Sequence, residues 1–294
     1  MIAAILKALS RSSGLLAERA VAGLATLAGW VWYHLLRYRR GVLHQNLALA
    51  FPERTSAERA ALARAACTHL ARTVLEFLRI PRYARAGFEG VVRVEGLEHC
   101  RAALREGRGV LGLTGHLGSF ELIASAVAQR LDEPVSVVVK SFPRSVEGFI
   151  TWIRGSTRLG LIPARGGMKA ILRALRGGEV VIFVLDQNAT RRLGVFVEFF
   201  GKPACTMSAL AVIAARTGAP VVPSAMWREP NGAHVLQVYP PIPLEAAETP
   251  EATIERMTQR YTEFLEARIR EHPEQWLWTH KRWRTRPEGE AQYS

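Results

Sequence analysis

Hydrophobic positions between residues 55 and 81 recur at helical spacing and predict a long helix with one buried face. Thr55 and Glu58 fit a capping box at its start, and Pro81 is expected to end it. The apolar positions lie three or four residues apart: Leu62, Ala66, Leu70, Val74 and Phe77. One side of this helix must therefore pack against the rest of the molecule.

After residue 90 the pattern alternates between short apolar runs and amphipathic stretches. The apolar runs predict strands at 91–95, 110–113, 135–139, 180–185, 220–226 and 234–239. The amphipathic stretches predict helices at 98–105, 118–131, 146–159, 168–175, 207–217 and 251–271. Alternating strands and helices predict an α/β fold with a mixed, largely parallel sheet flanked by helices.

Residues 20–36 carry no formally charged side chain and end at an arginine-rich segment. These seventeen residues are at the short end of a membrane span. Trp30, Trp32 and Tyr33 favour a headgroup region. The run leads into Arg-Tyr-Arg-Arg and not into small residues, so no cleaved signal peptide is expected. We expect residues 1–40 to anchor the chain to a membrane, either by spanning it or by lying in its interface.

The composition predicts a folded protein with an affinity for anions. Hydrophobic residues make up 49% of the 294 residues, and the formal net charge is +13. Such a charge favours nucleic acid, phosphorylated ligands or an acidic membrane surface. The three cysteines are far apart, which excludes a disulfide framework and indicates a reducing compartment. No break in composition divides residues 41–285, and residues 286–294 are expected to form a flexible tail.

A histidine and an acid follow the predicted strand at 110–113 in the segment Thr-Gly-His-Leu-Gly-Ser-Phe-Glu. His116 is at the end of the strand, where α/β proteins often place a site, and Glu121 is in the first turns of the next helix. Gly115 and Gly118 allow close backbone approach, and the helix start offers N–H groups to developing negative charge. A neutral imidazole here can take a proton from an alcohol while a carboxylate holds its tautomer. The alternative is a histidine that only satisfies a turn.

Two further segments combine polar and aromatic residues. Asp186 and Gln187 follow the predicted strand at 180–185, where Asp186 either orients a basic residue or only caps the strand. The aromatic segment at 195–200 either lines an apolar cleft or forms a core hairpin. Residues 273–286 contain four cations and three tryptophans. That mixture suits a lipid headgroup surface, single-stranded nucleic acid or a solvated helix end.

In order and spacing, these segments resemble the bacterial lipid A late (secondary) acyltransferase family, within the wider group of lysophospholipid and glycerolipid acyltransferases. The family pattern Gly-His-x-Gly-x-x-Glu is matched from Gly115 to Glu121. Its Asp-Gln element is matched at Asp186 and Gln187, followed by Val-Phe-Val-x-Phe-Phe-Gly. The C-terminal pattern that opens with Pro-Glu-Gln, and an N-terminal Asn46 with Phe-Pro-Glu, are also present. Asn188 departs from the family pattern, which leaves the acceptor open.

The resemblance implies a glycerolipid acyltransferase-like fold and an O-acyltransferase that needs neither metal nor cofactor. Its expected donor is an acyl carrier protein thioester, and its expected acceptor is a hydroxyl of a lipid A precursor or related membrane glycolipid. His116 would be the general base and Glu121 its partner. The family arginine maps onto Arg154 or Arg158, which would bind substrate together with Asp186 and Gln187.

The resemblance also implies a place at the bacterial inner membrane, with the catalytic domain facing the cytoplasm and an anionic membrane surface as a partner. One alternative is an acyl-CoA-dependent acyltransferase of a lysophospholipid, aminolipid or phosphatidylinositol mannoside. A basic nucleic-acid-binding protein is another, but the sequence contains no recognised reading motif, so no nucleic-acid partner is expected. The His116 and Glu121 pair argues against a catalytically dead lipid-binding relative.

Overall fold

The computed structural model describes residues 2–140 and 143–291, apart from the side chain of Arg144. Its helices are α1 Ile2–Ser13, α2 Glu18–Val31, α3 Arg40–Ala50, α4 Ser56–Arg85, α5 Leu97–Leu104, α6 Phe120–Ala128, α7 Arg144–Arg154, α8 Met168–Arg176, α9 Ala209–Thr217 and α10 Pro250–Glu271. Its strands are β1 Val92–Glu95, β2 Val110–Thr114, β3 Val135–Val139, β4 Leu159–Pro163, β5 Val180–Val184, β6 Gly194–Phe199, β7 Lys202–Met207, β8 Val221–Arg228 and β9 His234–Val238.

Seven strands form one sheet in the order β1, β9, β8, β2, β5, β3, β4. Neighbouring strands run parallel, except for the antiparallel pair β8 and β9. Every residue of β2 is buried, as expected for a central strand covered by helices on both faces. The predicted α/β fold with a mixed, largely parallel sheet is therefore confirmed.

The capping box at the start of α4 forms as predicted, with Thr55 and Glu58 bonding each other's backbone N–H groups. The predicted end at Pro81 is wrong, because α4 continues to Arg85. Pro81 removes one N–H donor and its ring crowds the carbonyl of Phe77, but this local cost is tolerable near the end of a long helix that packs against α1 and α2. Val74 is 50% exposed, so the buried face is narrower than the apolar pattern predicts.

The boundaries of α6 and α7 differ from the predicted ones, because backbone conformation and strand pairing determine where these helices begin and end. Gly118 has φ +63°, outside the helical region, and α6 begins only at Phe120 instead of residue 118. The helix predicted at 146–159 ends at Arg154, because residues 159–163 form the edge strand β4 beside β3. Strands β6 and β7 pair antiparallel as a separate hairpin, which agrees with the hairpin alternative for the aromatic segment.

The N-terminal segment consists of α1, α2 and a turn of π-helix at Trp32–Leu36 instead of a single anchoring helix. Both α1 and α2 pack against α4. A Cβ at Gly29 would lie 2.5 Å from the Cα of Thr68, so glycine permits the close contact between α2 and α4. Among residues 2–140 and 143–291, no helix has the length and apolar character needed to cross a bilayer.

The C-terminal segment is only partly the expected tail. Arg286 is buried, and its guanidinium donates to the carbonyl of Pro203. Residues 292–294 of the expected tail lie outside the described residues.

Candidate active site

Two strand ends lie side by side at the carboxyl edge of the sheet and bring the candidate catalytic residues together. β2 and β5 are parallel neighbours, with Thr114 opposite Val184. His116 follows β2, and Asp186 follows β5. A Cβ at Gly115 would lie 3.0 Å from Oδ2 of Asp186, so glycine allows the two segments to approach. His116 therefore lies at the carboxyl edge of the sheet, where its position after a strand predicts it.

Asp186 holds His116 through both of its carboxylate oxygens. Its Oδ1 lies 2.7 Å from Nδ1 of the imidazole, and its Oδ2 accepts from the backbone N–H of His116 at 2.6 Å. The indole N–H of Trp276 donates to the same Oδ2 at 2.6 Å. The side chain of Asp186 is 1% exposed, whereas that of His116 is 17% exposed. The carboxylate is therefore enclosed, and the imidazole reaches the open side.

Burial and charge set the protonation of this pair. Burial alone would raise the pKa of Asp186, but the charge of His116 and the hydrogen bonds from His116 and Trp276 lower it to about 2. Burial lowers the pKa of His116, while the charge of Asp186 and its hydrogen bond outweigh that effect and raise the pKa above its usual value. Near neutral pH, Asp186 is a carboxylate that accepts the Nδ1 proton, which leaves the lone pair of neutral His116 on Nε2.

Gln187 and Lys140 complete a chain of polar groups on the other side of the imidazole. The amide Nε2 of Gln187 lies 3.1 Å from Nε2 of His116. The ammonium of Lys140 donates to Oε1 of Gln187 at 3.0 Å. The structure thus places Gln187 against Nε2 of His116 and adds Lys140, which the sequence motifs do not indicate.

The structure pairs Glu121 with Arg154 and not with His116, which corrects the expected partnership. Oε2 of Glu121 lies 3.3 Å from the guanidinium of Arg154. The physical reason is that Asp186 arrives from the neighbouring strand and already occupies Nδ1, while Glu121 in the first turn of α6 meets the last turn of α7. The charge of Glu121 still contributes to the raised pKa of His116. Asp186, which the resemblance implies as a substrate-binding residue, has its contacts with His116 and Trp276, in agreement with the prediction that it orients a basic residue.

The two candidate arginines lie in different places. Arg154 is 8% exposed and lines the same cavity as His116. Arg158 is exposed and donates to the carbonyls of Leu131 and Asp132 at 3.5 and 3.4 Å, next to the amino end of β3. Of the two arginines that match the family arginine, Arg154 lines the cavity of the candidate site and Arg158 does not.

A cavity of about 290 Å³ opens beside His116. Its polar lining residues are Thr114, His116, Glu121, Ser125, Lys140, Arg154 and Gln187. Its apolar lining residues are Ile80, Phe120, Ile123, Ala124, Val137, Val138, Val139, Leu159, Ile182 and Val184. A cavity with both apolar and polar walls suits a ligand that has a long hydrocarbon part and a polar reacting group.

The tryptophans of the segment 273–286 are buried and do not form the expected headgroup surface. Trp276, Trp278 and Trp283 are each 3% exposed or less. They pack with Phe199 and Phe200 of the hairpin, with ring centroids 4.6 to 6.4 Å apart across the cluster. Burial of their large apolar area in this core stabilises the fold more than exposure at a surface would. This cluster supports the strand end that carries Asp186.

Asn188, which departs from the family pattern, ties the C-terminal segment to the same strand end. Its side chain exchanges two hydrogen bonds of 3.0 Å with Thr285, and its backbone N–H donates to His280 at 3.0 Å. Burial lowers the pKa of His280 to about 4, which suits a neutral acceptor. The side chain of Asn46 donates to the carbonyls of Trp278 and His280. These residues have a structural role beneath the site.

Two contacts of the site, those of Lys140 and Trp276, are not predicted from the sequence motifs, for different reasons. Lys140 directly follows β3, so the rule that located His116 and Asp186 at strand ends would also have located it. The contact between Trp276 and Asp186 spans 90 residues and leaves no signal in local spacing.

Comparison with known proteins agrees with the motifs. The family model described as bacterial lipid A biosynthesis acyltransferase matches residues 2–285. The lipid A biosynthesis lauroyltransferase of Escherichia coli K12 is 30% identical over 278 residues, which cover 91% of this chain and 85% of that protein. The lipid A biosynthesis palmitoleoyltransferase of the same strain is 26% identical over 277 residues, covering 91% and 86% of the two chains.

Another relative, which aligns over a shorter stretch, is named for a different lipid class. A phosphatidylinositol mannoside acyltransferase of Mycobacterium tuberculosis is 29% identical over 195 residues, covering 65% of this chain and 59% of that protein. Among solved structures, a 1-acyl-sn-glycerophosphate acyltransferase from Thermotoga maritima aligns with a TM-score of 0.41 and 16% identity, covering 88% of this chain and 99% of that one.

Proposed function

This chain belongs to the bacterial lipid A biosynthesis acyltransferase family, and from that premise we propose that it moves a fatty acyl group from an acyl carrier protein thioester to a hydroxyl of a lipid A precursor or related glycolipid. Membership makes the chain an O-acyltransferase. The observation that carries the proposed mechanism is the 2.7 Å pair between Nδ1 of His116 and Asp186 at the opening of an apolar cavity.

In the proposed mechanism His116 is the general base. Its Nε2 takes the proton of the acceptor hydroxyl, and the resulting alkoxide forms a bond to the thioester carbonyl carbon. Asp186 keeps the reactive tautomer and stabilises the imidazolium. Collapse of the tetrahedral intermediate breaks the carbon–sulfur bond, and the leaving thiolate takes the proton from His116. The products are an ester and a free thiol.

The developing oxyanion needs donors that are not already used. The N–H of His116 donates to Asp186, and that of Gly118 donates to the carbonyl of Gln275 at 3.0 Å. We therefore assign this role to the N–H groups of Phe120 and Glu121 at the start of α6, where the helix dipole also favours negative charge. The guanidinium of Arg154, oriented by Glu121, adds a positive charge that suits the donor carbonyl or an acceptor phosphate.

The acyl chain fits the apolar part of the cavity. Val137 and Ile182 are paired across β3 and β5 and lie further from the strand ends than His116. An acyl chain whose thioester is beside His116 would extend between α6 and these strands. Burial of each methylene contributes about 0.8 kcal/mol, so chain length has a strong effect on binding.

Charge supports an acidic carrier as the donor. Residues 148–178 contain no acidic residue. Five of their cations are exposed: Arg158, Arg165, Lys169, Arg173 and Arg176. Such a surface attracts an acidic carrier protein and speeds its encounter with the enzyme.

We also propose that the N-terminal helices lie in the interface of the bacterial inner membrane, on its cytoplasmic side. α1 buries Ser10 and Ser13 while Ile2, Ile5 and Leu9 are about half exposed, which reverses the usual order of a water-facing helix. α2 exposes Leu24, Leu27 and Trp30 to similar extents. Apolar faces of this kind, flanked by arginines, suit the boundary between headgroups and acyl chains.

A donor and acceptor panel tests the proposal. Purified enzyme is incubated with an acyl carrier protein thioester or acyl-CoA, and with a lipid A precursor, a lysophospholipid or a phosphatidylinositol mannoside. Mass spectrometry of the lipids should show acylation of the lipid A precursor from the carrier protein thioester. Transfer only from acyl-CoA, or only to a lysophospholipid or a mannoside, would contradict the proposed donor or acceptor. His116→Ala is the blank reaction.

A further inference from the structure

Gln187 occupies the nitrogen of His116 that the reaction needs, and this position suggests a second role for it. We propose that Gln187 caps Nε2 of His116 in the resting enzyme and leaves it only when an acceptor hydroxyl takes its place, so that bound thioester is protected from water. The inference rests on the proposed function, because it concerns the same base.

The donor and acceptor roles along this chain of groups are fixed at both ends. The ammonium of Lys140 has only donors, so the atom of Gln187 that it contacts at 3.0 Å must be the acceptor Oε1. The amide nitrogen of Gln187 is then the group that faces His116, and it can only donate. At the other end, the carboxylate of Asp186 accepts from Nδ1 of His116. His116 is therefore held with its proton on Nδ1 and its Nε2 lone pair engaged.

An engaged lone pair cannot take a proton from water. Hydrolysis would follow the same course as transfer: Nε2 would take a proton from water, the hydroxide would attack the thioester carbonyl, and the carbon–sulfur bond would break to give a fatty acid and a thiol. The Gln187 amide competes with water for Nε2, and an acceptor hydroxyl positioned by the rest of its lipid competes better than free water.

The backbone of Gln187 is anchored, so opening requires only its side chain to move. Its carbonyl accepts from the buried guanidinium of Arg282 at 3.4 Å. The side chain is half-buried and faces the cavity, and its outer partner Lys140 is exposed. Rotation of the side chain would free Nε2 without displacing Asp186 or His116.

The test separates a cap from a simple substrate-binding residue. Full-length wild type, Gln187→Ala and Lys140→Met are incubated with an acyl carrier protein thioester, with and without lipid acceptor, and fatty acid and acylated lipid are measured by mass spectrometry. Without acceptor, Gln187→Ala should release fatty acid about tenfold faster, which corresponds to about 1.4 kcal/mol. Lys140→Met, which frees the amide to turn, should change hydrolysis in the same direction by a smaller factor.

A substrate-binding role without a cap would lower transfer by Gln187→Ala and leave hydrolysis unchanged or lower, and that result would overturn the inference. Gln129→Ala, a half-buried glutamine at the far end of α6, is the matched control and should resemble wild type. Thermal unfolding of each variant verifies that the fold is intact.

A second measurement needs no substrate and keeps the cap separate from the proposed function. Diethyl pyrocarbonate acylates unprotonated imidazole nitrogen, and the rate at His116 is followed on its own peptide by mass spectrometry. Gln187→Ala should react about tenfold faster at His116 than wild type, and an equal rate would overturn the cap. If wild type transfers no acyl group from either donor, the proposed function fails, and this rate still decides the inference.

Discussion

Arg154 is a buried cation in the wall of the cavity beside His116, the proposed general base. Its guanidinium lies 3.3 Å from Glu121 and is 8% exposed. A planar guanidinium can hold Glu121 and bind a phosphate or carbonyl oxygen at the same time, whereas a lysine ammonium is a compact point charge. The identity of this side chain should therefore matter as well as its charge.

Arg154→Lys is expected to lower kcat/KM for acyl transfer by about 10-fold to 100-fold, the cost of one lost hydrogen bond to a charged group. Steady-state kinetics with the carrier protein thioester measure it. Arg158→Lys is the control, and it should keep activity because Arg158 binds only the backbone next to β3. Equal losses for the two variants would contradict the assignment of Arg154.

The residues of the site could be predicted from the sequence where they directly follow a predicted strand, but the contacts between distant segments could not. His116 and Asp186 were located by the rule that polar groups at the carboxyl ends of buried strands form sites. Which carboxylate holds the imidazole could not be predicted, because His116 and Asp186 are 70 residues apart while Glu121 is close in sequence. Proximity in sequence predicts Glu121 as the partner of the imidazole. The register between β2 and β5 instead places Asp186 next to His116.

At the scale of elements, α6 and strands β3 and β5 form the apolar part of the cavity. Ala124 on α6 lines it one turn beyond Phe120, so its small side chain leaves space there. The volume available to an acyl chain depends on the side chains at such positions.

Ala124→Leu adds three carbons to the cavity wall and should shift the enzyme toward shorter acyl chains. Each methylene excluded from the cavity costs about 0.8 kcal/mol of binding, which is about fourfold. Competition between carrier protein thioesters of different chain length, with products weighed by mass spectrometry, measures the shift. An unchanged product distribution in a folded variant would show that the acyl chain binds elsewhere.

Elements with strong periodicity could be predicted from the sequence, and those set by tertiary contacts could not. The residues of β3 and the capping box of α4 are as predicted, since each depends on local pattern. The continuation of α4 past Pro81 depends on its packing, and the ends of α6 and α7 depend on Gly118 and on the pairing of β4 with β3. None of these influences appears in the period of the local sequence.

At the scale of the whole molecule, the N-terminal helices combine a packed side with an apolar outer side. Val21, Ala25 and Gly29 of α2 are buried, and Leu24, Leu27 and Trp30 are 45 to 60% exposed. The sequence predicted an apolar N-terminal segment but not this division into two faces, because both faces of α2 are apolar.

Replacing Leu24, Leu27 and Trp30 together by Gln should weaken binding to vesicles that contain phosphatidylglycerol by about a hundredfold or more. Each exposed apolar side chain should contribute about 1 kcal/mol or more when it enters the interface. Vesicle flotation measures the bound fraction. Leu244→Gln, at a residue 48% exposed in another part of the chain, should bind as wild type does. Equal binding by the triple variant and wild type would contradict the proposed interface.

The central claim is that Asp186 makes His116 the general base, and the pH dependence of turnover in Asp186→Asn tests it most directly. The carboxylate raises the pKa of His116, and the base is active only when neutral, so wild-type turnover should fall as pH drops through a pKa above about 6.5. In Asp186→Asn, turnover should fall by about 10²–10⁴-fold and the remaining acidic limb should move to lower pH. Glu121→Gln should move it less, because the charge of Glu121 has a smaller effect on this pKa. A folded Asp186→Asn enzyme with near wild-type turnover and an unshifted acidic limb would contradict the account.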